Sequence, residues 1–256
     1  MNKQRYIWEG IYSTYHEAEN NSIGTGFSSD KWIEAARNKI FEYRKNMDTC
    51  HNPSPIGNRF SSLPLLASSI LDNIERDIVV LDFGGGIGTQ YEYLKSSIPE
   101  QNIRYHIVET LETSCTGKKL FHNDSDIFFY SSFPTEKIYP KIAYSNSTLQ
   151  YIDDWTGSVK KMVEENPDYL LLDDFPGGNF ETFFTLQNYY SSKIPHRFFN
   201  IAESVSKIES MGYELIYKSR YFGEILGKFS KWPMENFPQC NRLDHSCTLL
   251  FKRRYQ

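Results

Sequence analysis

The sequence predicts an α/β protein with a doubly wound, seven-stranded, mostly parallel sheet and an N-terminal helical extension. Seven short runs rich in β-branched and aromatic residues follow one another from Ile78 onward. Segments of helical period separate them, and alternating strands and helices are typical of a parallel sheet. Residues before Ile78 carry helical patterns and no convincing strand. We therefore expect a helical extension or lid over residues 1–77 and a sheet domain over residues 78–256.

The predicted strands share a short length and an apolar, β-branched or aromatic composition. They are IVVLDF from Ile78, IRYHIVE from Ile103, IFFYS from Ile127, KIAYS from Lys141, DYLLLDD from Asp168, YELIYKSRYF from Tyr213 and CTLLFKR from Cys247.

Three helices between these runs are predicted from their apolar stripes and end signals. The first has Tyr91, Leu94 and Ile98 on one face, followed by Pro99; the second is capped by Asp153 or Asp154 and has Trp155, Val159, Met162 and Val163 inside; the third is capped by Asn200 with Glu203, has the stripe Ile201, Val205 and Ile208, and ends at Gly212.

Two further helices are predicted in the extension, over Lys31–Asn46 and Leu63–Ile74, on either side of the turn-rich HNPSPIGN at His51–Asn58. The extension also holds more aromatic residues than a short helical cap needs for its own core. They either dock the extension onto the sheet domain, which we favour for most of them, or stack on a sugar or ring substrate. We predict substrate contacts for Trp8 and Tyr12.

Composition excludes several classes of function. The formal net charge of −4 gives no basic footprint for nucleic acid. No apolar run approaches the roughly 20 residues of a membrane span, and the N-terminus lacks a signal-peptide core. These features predict a cytoplasmic protein with no membrane span, while its oligomeric state is open.

Cysteine spacing predicts reduced thiols and no metal site. The four cysteines form no CxxC pair. CNRLDHSC, from Cys240 to Cys247, brings two thiols close to Asp244 and His245, but the six-residue gap matches no common zinc knuckle.

The stretch LDFGGGIG places glycines at a strand-to-helix turn, where backbone N–H groups and a helix N-terminus can approach a ligand. The spacing G-x-G-x-G of Gly84, Gly86 and Gly88 departs from the dinucleotide fingerprint G-x-G-x-x-G. Asp82 precedes the turn, and Glu109 ends the next strand at the same edge, where its carboxylate can accept bonds from two ribose hydroxyls. The pattern predicts a nucleoside-bearing ligand whose other end is not a pyrophosphate.

These motifs resemble those of class I S-adenosylmethionine-dependent methyltransferases, over about residues 78–253. YIWEGIYSTYHEA, GTGF, LDFGGGIGTQY and YSNSTLQYIDDW are also similar to a little-characterised bacterial family of methyltransferases often associated with surface-polysaccharide genes. The resemblance implies a Rossmann-like fold, S-adenosyl-L-methionine as cofactor, and a small-molecule or glycan acceptor for the domain over residues 78–256.

The same resemblance implies roles for individual residues. Asp82 would lie near the methionine amino group, and Glu109 would hold the ribose. The glycines would allow the methyl donor to lie against the backbone. The remaining implied contacts are with adenine, by Ser131, Ser132 and Phe133, and with the methionine side, by Ser145 and Asn146; core packing is an equally good interpretation of Phe133.

Methyl transfer from a sulfonium needs few catalytic side chains, and a base only when the acceptor carries a proton. The candidates are Asp174, or its neighbour Asp173, and the histidines His196 and His245, although structural roles are open for each. SNSTLQY replaces the D/N-P-P-Y/F/W motif of amino-methyltransferases that act on DNA bases or glutamine amides, which disfavours those enzymes. In line with the resemblance, the leading hypothesis is O-methylation of a sugar or glycan precursor. The alternatives are a non-catalytic binding or scaffold protein and a nicotinamide-dependent oxidoreductase.

Overall fold

The computed structural model describes residues 6–49, 62–70, 77–221, 223 and 231–254. Its strands and helices are, in chain order, β1 (Trp8–Tyr12), α1 (Tyr15–Glu19), α2 (Asp30–Thr49), α3 (Ser62–Ser69), β2 (Asp77–Phe83), α4 (Thr89–Ser97), β3 (Asn102–Val108), α5 (Leu111–Leu120), β4 (Ile127–Tyr130), β5 (Ile142–Asn146), α6 (Trp155–Glu164), β6 (Tyr169–Phe175), β7 (Gly177–Gly178), β8 (Phe183–Tyr189), β9 (Ser192–Asn200), α7 (Ile201–Glu209), β10 (Tyr213–Arg220) and β11 (Cys247–Arg253).

The main sheet has seven strands in the order β10-β11-β6-β5-β2-β3-β4. The pairs from β6 to β4 are parallel, and β11 runs antiparallel to both of its neighbours. Each of its strands corresponds to one of the predicted runs, so the predicted fold class is confirmed. The strand order reverses between β2 and β5, and open α/β sheets bind ligands outside the strand ends at such a point.

Apolar cores cover both faces of the main sheet, as expected for strands buried on two sides. On one face, α2, α3 and α4 pack against β2 and β3 through residues such as Ile40, Leu63 and Leu94. On the other face, α6 and α7 pack against β5, β6 and β11 through Val159, Met162 and Ile208. The glycine turn therefore stands on a strand that is held from both sides.

The predicted helix ends agree with the structure. The Asp154 side chain accepts a hydrogen bond from the Gly157 N–H at the start of α6, and Asn200 accepts one from Glu203 at the start of α7. Gly212 has a φ of +91°, a conformation that favours glycine after a helix. These signals are local, which explains why the sequence could specify them.

A second sheet of four strands, in the order β1-β8-β9-β7, was not predicted. The expectation that residues 1–77 hold no strand is wrong, because β1 lies within them and pairs antiparallel with β8. A five-residue strand has little local signal, and its partner lies far along the chain. The extension is thus partly β-structured, while its boundary at residue 77 stays a prediction.

The helices of the extension begin where expected. α2 covers the predicted Lys31–Asn46 and continues to Thr49, and α3 begins at Ser62. The predicted turn at His51–Asn58 and residues 71–76 lie outside the described residues. Within the described part of the chain, no helix is long and apolar enough to cross a membrane.

Candidate functional site

A cavity of about 940 Å³ lies at the carboxyl ends of the central strands of the main sheet, beside the second sheet. One part of its wall comes from the main sheet and includes Phe83, Glu109 and Asn146. The other part includes Trp8, Gln187 and His196 from the second sheet. We call these parts the donor half and the acceptor half.

The three glycines of the predicted G-x-G-x-G pattern all have positive φ, but only one of them faces open space. A Cβ on Gly84 would collide with Thr148, and one on Gly88 would come within 2.8 Å of Phe121. A Cβ on Gly86 would meet nothing closer than Trp32, at 3.9 Å. Packing therefore requires glycine at positions 84 and 88, whereas a side chain has room at Gly86. Of the three glycines, Gly84 lines the cavity, and contact of Gly86 with a ligand stays a prediction.

Glu109 follows β3 and lines the donor half of the cavity. Its Oε1 accepts a hydrogen bond from the Gly86 N–H at 3.1 Å, and its Oε2 accepts one from the Thr110 N–H at 2.8 Å. Burial raises the pKa of this carboxyl, while the two N–H donors lower it. The carboxylate is thus held in place beside the glycine turn.

Asp82 lies directly below the turn and is 1% exposed. Its Oδ2 accepts a hydrogen bond from the Tyr105 hydroxyl at 2.7 Å, and its Oδ1 has no partner among the described residues. Burial raises the pKa of Asp82 to about 7, against the lowering effect of Tyr105. Asp82 is not among the residues that line the cavity, so its contact with a ligand amino group stays a prediction, based on its unpaired oxygen.

Asp82 gives a testable pH dependence of stability. Because its folded-state pKa of about 7 lies above the usual aspartate pKa of 3.8, the folded protein keeps a proton that the unfolded chain has lost, and stability falls as pH rises towards 7. Asp82→Asn has no proton to lose. From pH 5 to pH 8 the free energy of unfolding of the unliganded variant should therefore rise by roughly 3 kcal/mol relative to that of the parent protein. Urea unfolding of both proteins at both pH values measures this, and a difference between the two proteins that is the same at pH 5 and pH 8 would contradict the prediction.

The other predicted donor contacts divide into two groups. Ser131, Ser132, Phe133 and Asn146 line the cavity. The Phe133 ring stacks on Phe83, with centroids 5.6 Å apart. Ser145 is buried outside the lining, and its hydroxyl donates to the Phe83 carbonyl at 2.9 Å. We therefore assign Ser145 to holding β5 against β2.

The two predicted substrate contacts also differ. Trp8 is 3% exposed, lines the acceptor half and stacks on Trp232 at 4.8 Å. Tyr12 packs in the second sheet's own apolar cluster with Phe184 and does not line the cavity. Tyr12 thus docks the extension, as favoured for most of its aromatic residues.

His196 and Asp174 reach the cavity, whereas the other two candidate bases do not. His245 lies before β11 outside the lining, and Asp173 is buried and accepts hydrogen bonds from three hydroxyls: those of Ser62, Tyr144 and Thr248. The geometry thus favours Asp174 over Asp173 and does not support His245 as a base.

The two remaining candidate bases, His196 and Asp174, each have an unusual property. Burial lowers the pKa of His196 to about 3, and its Nδ1 has no partner among the described residues. Asp174 has a φ of +52°, uncommon for an aspartate, and its Oδ1 accepts a hydrogen bond from the Ser246 hydroxyl at 2.5 Å. Strained backbone of this kind is often found at functional sites.

Sequence reasoning missed the acceptor half contributed by the β8–β9 hairpin. The segment FFTLQNYYSSKIPHRFFN is rich in aromatic residues and carries a short turn at Tyr190, which has a φ of +51°. Its aromatic and β-branched content was the available signal. Arg197 then joins the hairpin to the segment between β5 and α6 by donating to the Ile152 and Asp153 carbonyls at 3.1 and 2.7 Å.

The three cysteines that the structure describes form no recognisable site. Cys115 and Cys240 are exposed and Cys247 is half-buried, all as free thiols. Across the described ranges, no group of three or more histidine, cysteine, aspartate or glutamate residues is placed to hold a metal ion. Cys50 lies outside the described residues.

Searches of the sequence find no matching protein-family model and no matching curated protein. Solved structures do match. Burkholderia thailandensis 1,6-didemethyltoxoflavin-N1-methyltransferase, solved with bound 1,6-didemethyltoxoflavin and S-adenosylhomocysteine, has 13% identity and a TM-score of 0.51, and the match covers 91% of this chain and 94% of that one. A chain in a Haloferax volcanii complex of a methyltransferase activator with a candidate methyltransferase has 11% identity and a TM-score of 0.55, and the match covers 91% of this chain and 100% of that one.

These likenesses show the fold. The chain has the Rossmann-like fold of class I S-adenosylmethionine-dependent methyltransferases, as the resemblance implied. A structure described as a pericyclic reaction enzyme also matches, with 14% identity and a TM-score of 0.50, over 98% of this chain and 61% of its own. Since one fold can carry different chemistry, activity has to be argued from the site.

Proposed function

We propose that this protein is an S-adenosylmethionine-dependent methyltransferase that methylates a hydroxyl of a sugar or surface-glycan precursor. The observation that carries the proposal is the hydrogen bond that joins the glycine turn to Glu109. The Glu109 carboxylate lines the cavity and accepts from the N–H of Gly86, the one glycine of the G-x-G-x-G pattern where a Cβ would meet no close neighbour. The related fold of a Burkholderia enzyme solved with S-adenosylhomocysteine supports the choice of donor.

The residues present fit this donor. Gly86 leaves room against the backbone, Glu109 offers carboxylate oxygens for ribose hydroxyls, and the unpaired Asp82 Oδ1 suits an amino group. The adenine ring would lie near Ser131, Ser132 and Phe133. When bound, S-adenosylmethionine supplies a methyl carbon already activated by the adjacent sulfonium.

The protein's own contribution is to orient the acceptor and exclude water. The second sheet closes the cavity with aromatic side chains, which keep the reaction site apolar. His196 stays neutral at physiological pH because its pKa is about 3, so it is a poor general base and instead offers a neutral ring nitrogen. We assign the role of orienting the acceptor hydroxyl and taking its proton to Asp174.

Donor binding should stabilise the fold, since a ligand selective for the folded state adds RT ln(1 + [L]/Kd). At a hundredfold excess over Kd, S-adenosylhomocysteine should add about 2.7 kcal/mol and raise the melting temperature by roughly 5–10 °C. Differential scanning calorimetry with S-adenosylhomocysteine, NAD and ATP measures this.

NAD and ATP serve as controls and should leave the melting temperature unchanged. A shift with NAD and none with S-adenosylhomocysteine would favour an oxidoreductase and overturn the proposal. A binding or scaffold protein would instead show the donor-induced shift but transfer no methyl group to any acceptor.

A further inference from the structure

The N-terminal extension also contributes a side chain beside the glycine turn. Trp32, in the first turn of α2, lines the same cavity as Glu109 and Thr110 of the donor half. Apart from the residues next to Gly86 in the chain, the Trp32 Cη2 is the only described atom within 4 Å of a Cβ built on Gly86, at 3.9 Å. The indole therefore lies against the turn at an ordinary van der Waals distance.

The packing of α2 against α4 explains this position. The Tyr43 ring meets that of Tyr93 edge-on, with centroids 4.5 Å apart, and the Arg44 guanidinium pairs with the Glu92 carboxylate. Tyr93 and Glu92 belong to α4, which begins directly after the glycine turn. Because α2 is held against this helix, its first turn and Trp32 are kept close to the turn.

Further aromatic contacts hold the indole. The Phe27 ring meets that of Trp32 edge-on, with centroids 5.8 Å apart, and contacts Tyr151 at 4.8 Å and Tyr189 at 5.2 Å. All four side chains line the cavity. Since Tyr189 belongs to β8, contacts with both α4 and the second sheet position this end of the extension.

Gly86 connects Trp32 to the carboxylate of the candidate donor site. The Gly86 N–H donates to the Glu109 Oε1 at 3.1 Å, while the indole lies against the same glycine. A ligand bonded to this carboxylate would therefore lie within reach of Trp32, which is half-buried. An indole offers a large apolar surface against which the C–H groups of a ribose can pack.

We infer that Trp32 is a donor-binding residue, which packs against the methyl donor beside the ribose site at Glu109. The inference rests on the proposed function for the identity of the donor. The extension thus completes the donor site and does not only dock onto the sheet domain.

Titration calorimetry of the full chain with S-adenosylhomocysteine tests the inference. Trp32→Ala should weaken binding at least about tenfold, because the apolar area buried between the ligand and the indole is lost. Trp32→Phe keeps an aromatic ring and should stay within about threefold of the parent affinity. Phe41→Ala is the matched control, since Phe41 is an exposed aromatic residue of α2 outside the cavity lining, and it should bind with parent affinity.

Tryptophan fluorescence gives a second readout that does not require Trp32→Ala to fold. The change in emission that S-adenosylhomocysteine causes in the parent protein should disappear in Trp32→Phe. It should persist in Trp232→Phe, because Trp232 stacks on Trp8 in the acceptor half.

Two results would overturn the inference alone: parent affinity in folded Trp32→Ala, or an undiminished change in emission in Trp32→Phe. Failure of the parent protein to bind S-adenosylhomocysteine would overturn the proposed function and this inference with it. The parent titration therefore separates the two failures.

Discussion

Gly86→Val should abolish detectable S-adenosylhomocysteine binding, a loss of at least about a hundredfold, or roughly 2.7 kcal/mol. The added side chain would enter the space between the glycine turn and Trp32, which is open at Gly86 and filled at Gly84 and Gly88. The positive φ of +61° adds backbone strain of about 1–3 kcal/mol. Titration calorimetry measures the affinity, and urea unfolding measures the strain.

Gly212→Val is the matched control for strain. Gly212 also has a positive φ, of +91°, and a Cβ there would meet nothing within 4 Å, but it lies at the turn between α7 and β10. Both variants should lose similar stability, and only Gly86→Val should lose the ligand. Native affinity in folded Gly86→Val, or equal loss of affinity in both variants, would contradict a donor site at this turn.

Glu109→Ala should weaken S-adenosylhomocysteine binding at least about tenfold while the protein stays folded. Hydrogen bonds to a charged acceptor contribute roughly 1.5–3 kcal/mol each, and this carboxylate can accept them from both ribose hydroxyls. The variant also frees the N–H groups of Gly86 and Thr110, which now donate to the carboxylate. Titration calorimetry on the variant gives the change in affinity.

Glu112→Ala is the control for Glu109→Ala, because Glu112 is an exposed acidic residue in the first turn of α5, close in sequence but outside the cavity lining. It should bind with parent affinity. Unchanged affinity in folded Glu109→Ala would place the ribose elsewhere.

The main sheet could be predicted because its signals are local. Each strand is a short apolar run, and caps such as Asn200 with Glu203 lie within one helical turn. β1 was missed because its stability depends on pairing with β8, where Trp8 lies opposite Gln187. A sequence pattern predicts local conformation but does not show which distant strand pairs with a given one.

In the candidate site too, only the residues with local signals could be predicted. Asp82, Gly86 and Glu109 stand at positions that strand ends and turn chemistry determine. In contrast, the difference between Gly84 and Gly86 depends on where Thr148 packs, and Ser145 was assigned to the ligand although its hydroxyl bonds the Phe83 carbonyl. The acceptor half was the least predictable part, because its sheet pairs β1, near the start of the sequence, with β8, far along the chain.

The most direct measurement is a crystal structure of the protein with S-adenosylhomocysteine. The central claim is that the glycine turn and Glu109 hold the methyl donor. It predicts both ribose hydroxyls within about 2.7–3.2 Å of the Glu109 carboxylate oxygens. The ligand should lie against the backbone at Gly86, and its sulfur should face the acceptor half. A ligand bound elsewhere, or a ribose without contact to Glu109, would contradict the claim.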